Sequence, residues 1–288
     1  MSGEGAQYGA DINFTLKSET PDVKVSFTGP NGGPAIRTLT VAGHPGLNRV
    51  WWDLRYESGS TIVMQVPPLD EPWAPARRNY AAYGTRIPPA GPIVPPGKYT
   101  VHMKAGGAEK TVALTVLPDP HSPRTQQTME AQVAFVREVL AEIDQAAQMG
   151  NKLEALRKQA QDAAVVAGKD PAKSAVVDAA KSFDAKASAV EAKLIDLRNT
   201  GRSEDAFRKP VQLYERISWM IGQMVGTPGS GSGGGDVRPT AQQIAVNAGF
   251  KQELATVAAE YKKILDADAP AFADMLNETM FLARSFPS

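Results

Sequence analysis

The sequence predicts an α+β protein with more than one domain, in which an antiparallel β-sandwich precedes an α-helical bundle of about four long helices. Two patterns indicate this. Short stretches of alternating apolar and polar residues, separated by turn residues, fill the first part of the chain, and three-to-four spacing of apolar residues fills the rest. The change falls at Pro118–Pro123. We therefore predict a sandwich over residues 8–118 and a bundle over residues 122–286.

Two strands are predicted to form the centre of the sandwich. The first is Gly46–Tyr56, and the second follows the Pro-Gly turn of Pro95–Met103. Their apolar residues alternate, which predicts a buried face made of Val50, Trp52, Leu54, Tyr56, Tyr99, Val101 and Met103. The opposite face of the first strand carries Arg49, Trp51, Asp53 and Arg55. We expect Trp52 and Tyr99 to be core residues.

The remaining strands are read from the same alternation. We predict them at Ala10–Leu16, Val23–Phe27, Ile36–Val41 and Thr111–Leu117, the last of which pairs with the second central strand at Tyr99–Lys104. Turn residues at Gly29–Pro34 and at Ala105–Ala108 predict two hairpins. Residues 58–96 form a proline-rich insertion that is too long for a simple loop. We predict that this insertion covers the sandwich or a neighbouring domain.

Apolar spacing then predicts the helices. The first helix has one apolar face made of Met129, Val133, Val136, Leu140, Ile143 and Ala147, and it ends before Lys169–Pro171, where Asp170 is a predicted N-cap. A second helix is predicted to end near Gly201, a third to span about 206–224, and a fourth to run through about Asp266. Asp268 and Pro270 are predicted to cap a short last helix that reaches Phe281. The glycine- and serine-rich stretch 226–236 is predicted to be a flexible loop.

Composition excludes several classes of function. The chain has 31 basic and 31 acidic residues, so neither nucleic acid nor an acidic membrane surface is an expected partner. It has no cysteine, which excludes disulfides, thiolate metal sites and cysteine nucleophiles. No apolar run is long enough to span a bilayer. The first residues are polar and do not form a signal peptide, which suits a cytosolic protein or a piece of a longer exported one.

Several motifs, in order along nearly the whole chain, resemble the C-terminal region of a bacterial family with sortilin-like or BNR-type glycosidase-like propellers. They are Gly46–Tyr56, Pro95–Val101, Val211–Gly222, Arg238–Gln243 and Asp268–Phe272. The β part is also similar to the Ig-like domain of flagellar hook-capping proteins, through its Trp-Asp and Gly-Lys-Tyr strands. This resemblance implies an Ig-like sandwich from an exported multidomain protein. The propeller motif Ser-x-Asp-x-Gly-x-Thr-Trp is not in this sequence, so the activity implied by the name glycosidase is not carried over to this chain.

Aromatic residues in and beside the insertion are candidates for ligand binding. Trp51, Trp73, Arg77, Tyr80 and Tyr83, with Arg78 nearby, suit an aromatic platform for carbohydrate or a cation–π surface. The alternative is that these rings anchor a long loop, and that Trp51 is covered by the insertion or by the helical domain.

Carboxylates and histidines give weaker signals. Asp53, Glu57, Asp70 and Glu71 include enough acids for a glycosidase pair, but the sequence does not indicate the fixed separation that such a pair needs. Pairing of Asp53 with Arg49 or Arg55 is the simpler interpretation. His44, His102 and His121 lack metal-ligand spacing, and no nucleotide-binding or nucleophile-elbow motif is present. We therefore expect no catalytic residue, no metal and no cofactor.

The sequence thus favours a non-catalytic interaction or structural module from an exported bacterial protein, periplasmic, cell-surface or extracellular. Its expected partner is a propeller domain of the same protein, another protein, or a second copy. The apolar helix faces, with Trp219, Met220 and Met224, are predicted to be bundle core or else a partner-binding groove. Two alternatives stay open, namely a carbohydrate-binding module and a glycoside hydrolase or its accessory domain.

Overall fold

The computed structural model describes residues 8–81, 88–122, 124–202, 204, 210–226 and 237–281. It confirms an α+β protein with antiparallel sheets and long helices. The chain divides into two compact units. The first unit contains Met1–Gly59, Pro89–Leu140 and Ile221–Ala241, and the second contains Ser60–Pro88, Ala141–Met220 and Gln242–Ser288. The units therefore interleave along the chain, whereas the sequence predicts two consecutive domains. The middle of the predicted insertion groups with helices.

Eight strands form three antiparallel sheets in the described residues. They are β1 (Ala10–Leu16), β2 (Thr20–Thr28), β3 (Ala35–Gly43), β4 (Gly46–Trp52), β5 (Val63–Met64), β6 (Arg78–Asn79), β7 (Gly97–Ala105) and β8 (Ala108–Val116). The largest sheet has the order β3-β2-β7-β8, while β1 pairs with β4 and β5 pairs with β6. Both predicted hairpins are confirmed, since β2 pairs with β3 and β7 pairs with β8.

The first unit is organised around Trp52. Its indole is fully buried and stacks on Phe27 of β2, with ring centroids 4.1 Å apart. Tyr99 of β7 meets the same indole edge-on at 5.7 Å. One hydrophobic core therefore contains side chains from β4 and from the four-stranded sheet. Trp52 and Tyr99 are confirmed as core residues. The strand β4 itself is hydrogen-bonded to β1 in a two-stranded sheet, so it contributes to this core through its side chains and not through the four-stranded sheet.

The predicted strand Gly46–Tyr56 ends early, at Trp52, although Leu54 and Tyr56 pack against the core as predicted. Leu54 has a φ of 56°, a left-handed conformation that a strand does not adopt, so β4 ends before it. After this turn Arg55 is buried, although the alternation places it on the polar face. Its guanidinium Nη1 donates to the carbonyl of Gly91 at 3.0 Å. Its own carbonyl accepts the indole N–H of Trp52 at 3.0 Å.

The helices follow the apolar pattern with shifted ends. They are α1 (Gln126–Ala167), a 3₁₀ turn (Pro171–Lys173), α2 (Ser174–Glu191), α3 (Leu213–Val225), α4 (Ala241–Lys263), a π-helical turn (Ile264–Asp268), α5 (Ala269–Leu276) and a second π-helical turn (Asn277–Phe281). Asp170 is confirmed as an N-cap, because its carboxylate accepts the amide of Ala172 at 3.0 Å. The helix α2 ends earlier than predicted. The predicted start of the third helix and most of the Gly/Ser loop 226–236 lie outside the described residues.

Asp268 does not cap a separate last helix. The helical path continues from α4 into α5 through a π-helical turn, in which the amide of Ala269 donates to the carbonyl of Ile264. A π turn is wider than an α turn, which lets Pro270 stay in the path although it lacks an N–H and its ring crowds the preceding turn. The Asp268 carboxylate instead accepts a hydrogen bond from Lys186 of α2. The ring of Phe272 stacks on Phe183 of α2 at 5.1 Å.

Candidate interaction surface

Residues 60–81, here called the strap, form the middle of the predicted insertion and belong to the second unit. Polar side chains of α1 hold the strap backbone. Asp144 accepts the amide of Ser60 (2.7 Å), Asn151 accepts the amide of Val63 (2.8 Å) and donates to the carbonyl of Thr61 (3.0 Å), and Glu154 accepts the amides of Gln65 and Val66. Backbone amides need hydrogen-bond partners, and these side chains supply them to the strap in addition to the pairing of β5 with β6.

The spacing of these three acceptors fits an extended chain that runs along a helix. Asp144, Asn151 and Glu154 are seven and three residues apart, which places them on one face of α1. Ten residues of helix rise about 15 Å. Six residues of extended chain span about 20 Å. The two lengths are close enough for successive acceptors to meet successive amides of the strap.

A second set of hydrogen bonds holds the strap to other parts of the second unit. Tyr80 donates its hydroxyl to Glu215 at 3.1 Å, and Tyr214 donates its hydroxyl to the carbonyl of Ser60 at 2.6 Å. Arg78 donates to the carbonyl of Asn199, and the side-chain amide of Asn199 donates to the carbonyl of Ala81, each at 2.7 Å. Burial raises the pKa of both tyrosine hydroxyls, so each remains a hydrogen-bond donor across the neutral range.

Gly150 allows the strap to approach α1 closely. A Cβ at this position would lie 2.9 Å from the Cδ1 atom of Ile62, which is fully buried. We expect Gly150→Ala to destabilise the protein by about 1 kcal/mol, because overpacking exceeds the gain in helix propensity.

The matched control for this prediction is Gly249→Ala in α4. A Cβ there has no neighbour within 4 Å. Alanine should therefore stabilise the protein by about 0.5–1 kcal/mol. Urea denaturation of both variants checks this pair of predictions. Stabilisation by both substitutions would show that the strap does not need the glycine.

The strap presents apolar side chains to solvent on a fixed turn. Trp73 is 79% exposed and Leu69 is 59% exposed. The amide of Leu69 donates to the carbonyl of Leu197 at 3.3 Å, and Ala74 donates to the carbonyl of Glu71 at 2.9 Å. Arg77 is also exposed on this segment. A large exposed apolar side chain on a segment with fixed backbone is typical of an interaction site.

The predicted ligand-binding residues that the structure describes differ in exposure, and they belong to both units. Trp73 and Arg77 are exposed on the strap, whereas Tyr80 is 2% exposed and packs edge-on against Tyr214 at 6.0 Å. Tyr80 is thus an anchor of the loop and cannot stack on a ligand from solvent. Trp51 is half-buried in the first unit, with the guanidinium of Arg49 6.0 Å from its ring. Tyr83 lies outside the described residues.

Glu57 and Asp53, two of the four candidate carboxylates, have structural partners. Glu57 accepts the guanidinium of Arg37 at 3.0 Å and the amide of Thr38 at 2.7 Å. Asp53 accepts the backbone amide of Arg55 at 3.2 Å. Asp70 and Glu71 belong to the second unit, in the strap turn that precedes Trp73. Glu57 therefore serves to hold neighbouring backbone and a neighbouring arginine.

The histidines are scattered, as their sequence positions indicate. His44 contacts Glu19 at 2.9 Å, and His102 lies between the hydroxyls of Thr28 and Thr111. Among the described residues, no group of three or more histidine, cysteine, aspartate or glutamate side chains is placed to hold a metal ion.

On α3, Met224 is buried, Met220 is half-buried and Trp219 is 37% exposed.

A buried charged cluster adjoins the strap anchor. Arg157 is 2% exposed, and its guanidinium contacts three carboxylates in the second unit. Nε donates to Asp184 at 2.8 Å, Nη1 donates to Glu191 at 2.9 Å, and Nη1 lies 3.6 Å from Glu154. Glu154 and Glu191 are fully buried. The carboxylate that holds the strap amides therefore belongs to an ionic network.

The sequence does contain a signal for this cluster, which our sequence prediction missed. The apolar stripe of α1 through Val136, Leu140, Ile143 and Ala147 continues at three-to-four spacing onto Gly150, Glu154 and Arg157. Likewise Glu191 follows Ala187 by four residues on the buried face of α2. Charged residues at core positions of a helix indicate that the charges are paired with one another inside the protein, or that they belong to a functional site.

Within the described residues, no helix combines the length and the apolar character that crossing a bilayer requires. Comparisons of the chain with protein-family models, with curated proteins and with solved structures gave no match.

Proposed function

We propose that this chain is a non-catalytic interaction module in which the strap presents Leu69 and Trp73 to a protein partner. We interpret its two larger sheets as an Ig-like β-sandwich and its helices as a bundle, from an exported bacterial protein. The expected partner is a propeller domain of the same protein or of another, or else a second copy of this chain. The observation that carries the proposal is the 79% exposure of Trp73 on a strap with hydrogen-bonded backbone.

Energetics favours this role for Trp73. A tryptophan buries about 150–250 Å² when it is covered. At about 25 cal/mol per Å² of apolar surface, that burial provides about 4–6 kcal/mol before ordering costs. A rigid strap lowers the ordering costs, because the side chain is already presented. Trp73 therefore has the properties of an interface hot spot, and Arg77, exposed four residues later on the strap, is suited to the polar rim.

We expect Trp73→Ala to weaken binding to the partner about 30-fold or more, since truncation of a hot-spot tryptophan costs about 2 kcal/mol. The measurement is light scattering coupled to size-exclusion chromatography. It is done on the chain alone and mixed with a propeller of the resembled family, and titration calorimetry then follows any complex.

The matched control is Leu47→Ala. Leu47 is 73% exposed in the first unit and is not part of the strap. This variant should bind as the wild type does. A wild-type chain that stays monomeric and does not bind the propeller would overturn the proposal. Equal weakening by both substitutions would overturn the role of the strap.

Carbohydrate binding is the second candidate function, favoured by the same exposed indole of Trp73, because sugar rings stack on tryptophan faces. A glycan screen of the wild type and of Trp73→Ala separates the two. Glycan binding that the substitution abolishes, without binding to the propeller, would replace the protein-partner proposal.

A further inference from the structure

Two buried carboxyl oxygens in the cluster around Arg157 have no hydrogen-bond partner. They are Oε1 of Glu154 and Oε1 of Glu191. Both side chains are completely inaccessible to solvent. A buried acceptor without a donor costs about 1–3 kcal/mol, and more when it is charged. Two such atoms in one cluster therefore require an explanation.

The charges of the cluster do not balance if every acid is ionised. Arg157 supplies one positive charge, while Glu154, Glu191 and Asp184 supply three negative charges. Asp184 is 24% exposed and also accepts a hydrogen bond from Gln161 at 3.1 Å, so solvent and Gln161 stabilise its charge. Arg157 then faces two buried carboxylates, of which it can neutralise one.

We propose that Glu154 and Glu191 share one proton in the folded protein, and that this proton stabilises the hydrogen bonds from the strap to Glu154 of α1. We call the shared proton together with these hydrogen bonds the latch. The proton lies between the two Oε1 atoms, so the hydroxyl of Glu191 donates to Glu154. One proton satisfies both unpartnered oxygens and leaves one negative charge opposite Arg157. The other oxygen of Glu154, Oε2, is then free to accept the amides of Gln65 and Val66, as observed.

The titration behaviour of Glu191 supports this geometry. Burial, and next to it the negative charge of Glu154, raise the pKa of the Glu191 carboxyl group well above its usual range, although Arg157 acts in the opposite direction. The charged groups that face Glu191 are Glu154 and Arg157 of α1. Asp184 of α2 contacts the far side of the same guanidinium. The strap contributes backbone amides to the cluster.

The latch should open as the pH rises. The unfolded chain releases the Glu191 proton near its ordinary pKa of 4.5, whereas the folded protein holds it to higher pH. The stabilisation is therefore complete below pH 4.5 and is lost as the pH rises through the pKa of the folded state. Above that pH, a second buried negative charge repels Glu154 and weakens its hold on the strap. If the strap binds a partner through Trp73, which rests on the proposed function, binding weakens over the same range.

The test is amide hydrogen exchange of Gln65 and Val66, measured by NMR as protection factors between about pH 6 and about pH 10. In the wild type we expect protection to fall about tenfold for each pH unit up to the pKa of Glu191 in the folded protein, and to level off above that pH. In Glu191→Gln we expect protection to stay constant, because the amide N–H replaces the shared proton and does not titrate. Glu260→Gln is the control, since this half-buried glutamate pairs with Lys193 instead of Arg157 and should leave the wild-type profile unchanged.

Parallel pH profiles for the wild type and Glu191→Gln would overturn the proposal. If Glu191→Gln does not fold, carbon-13 NMR of the wild-type side-chain carboxyl groups decides instead. A glutamate that stays protonated at neutral pH supports the shared proton, and ionisation of every glutamate overturns it. Partner binding is measured separately. A pH-dependent latch with pH-independent binding would keep the shared proton and reject the role of the strap in recognition.

Discussion

Replacing Trp52 with alanine is expected to lower the free energy of unfolding by about 4 kcal/mol, within the range of buried tryptophan truncations. The indole is fully buried, stacks on Phe27 and meets Tyr99 edge-on, so the substitution leaves a cavity between the strands of the first unit. It also removes the donor to the carbonyl of Arg55. Because that carbonyl is held inside the unit, its lost hydrogen bond adds to the cavity term.

Trp51→Ala is the matched control, since it changes the same residue type one position earlier on the opposite face of β4. Trp51 is half-buried, and its recorded ring contact is with Arg49. We expect this substitution to cost about 1 kcal/mol. Urea denaturation followed by circular dichroism measures both variants. Equal losses would mean that β4 does not contribute a dominant core residue through Trp52.

Replacing Arg157 with methionine is expected to destabilise the protein by about 3–5 kcal/mol, because it leaves buried negative charge without its cation. Methionine keeps much of the length of the side chain, so the loss reports on charge more than on volume. The destabilisation should shrink as the pH falls below the ordinary pKa of glutamate, since protonated carboxyl groups no longer need a cation. This direction distinguishes an electrostatic cause from a packing cause.

Lys158→Met provides the control on the next residue of α1. Lys158 pairs with Asp162 one helical turn later, and both side chains are largely exposed. Such a pair contributes about 0.3–0.5 kcal/mol. Thermal unfolding of both variants at acidic and neutral pH tests the prediction. A loss in Arg157→Met that is small, or that does not change with pH, would argue against an ionic role for the cluster.

Local patterns in the sequence predicted the local structure well. The bounds of β1, both hairpins and the cap at Asp170 depend on residues that are close in sequence, and all are as predicted. The path of the strap could not be predicted in this way. Its amides are accepted by Asp144, Asn151 and Glu154, which lie more than 80 residues later. The local pattern of a proline-rich segment does not predict which distant side chains will accept its backbone amides.

The same limit applies to the candidate site. Trp73 and Tyr80 are both aromatic residues of one proline-rich segment, and the sequence gives them equal weight as ligand-binding residues. The structure separates them because Tyr80 meets Glu215 and Tyr214, whereas Trp73 remains exposed. Arg55 shows the reverse case, in which one left-handed residue turns a predicted surface arginine inward.

The interleaving of the two units has a consequence for the order of events during synthesis. The first unit needs chain from Ile221 onward, and the second needs chain from Gln242 onward, although each also uses residues among the first 88. A ribosome therefore releases the strands and the strap long before the helices that complete their surroundings. The early chain must keep its apolar residues from aggregating through that interval. Proteins with such late-arriving partners fold slowly and gain most from chaperones. We therefore expect this chain to fold slowly.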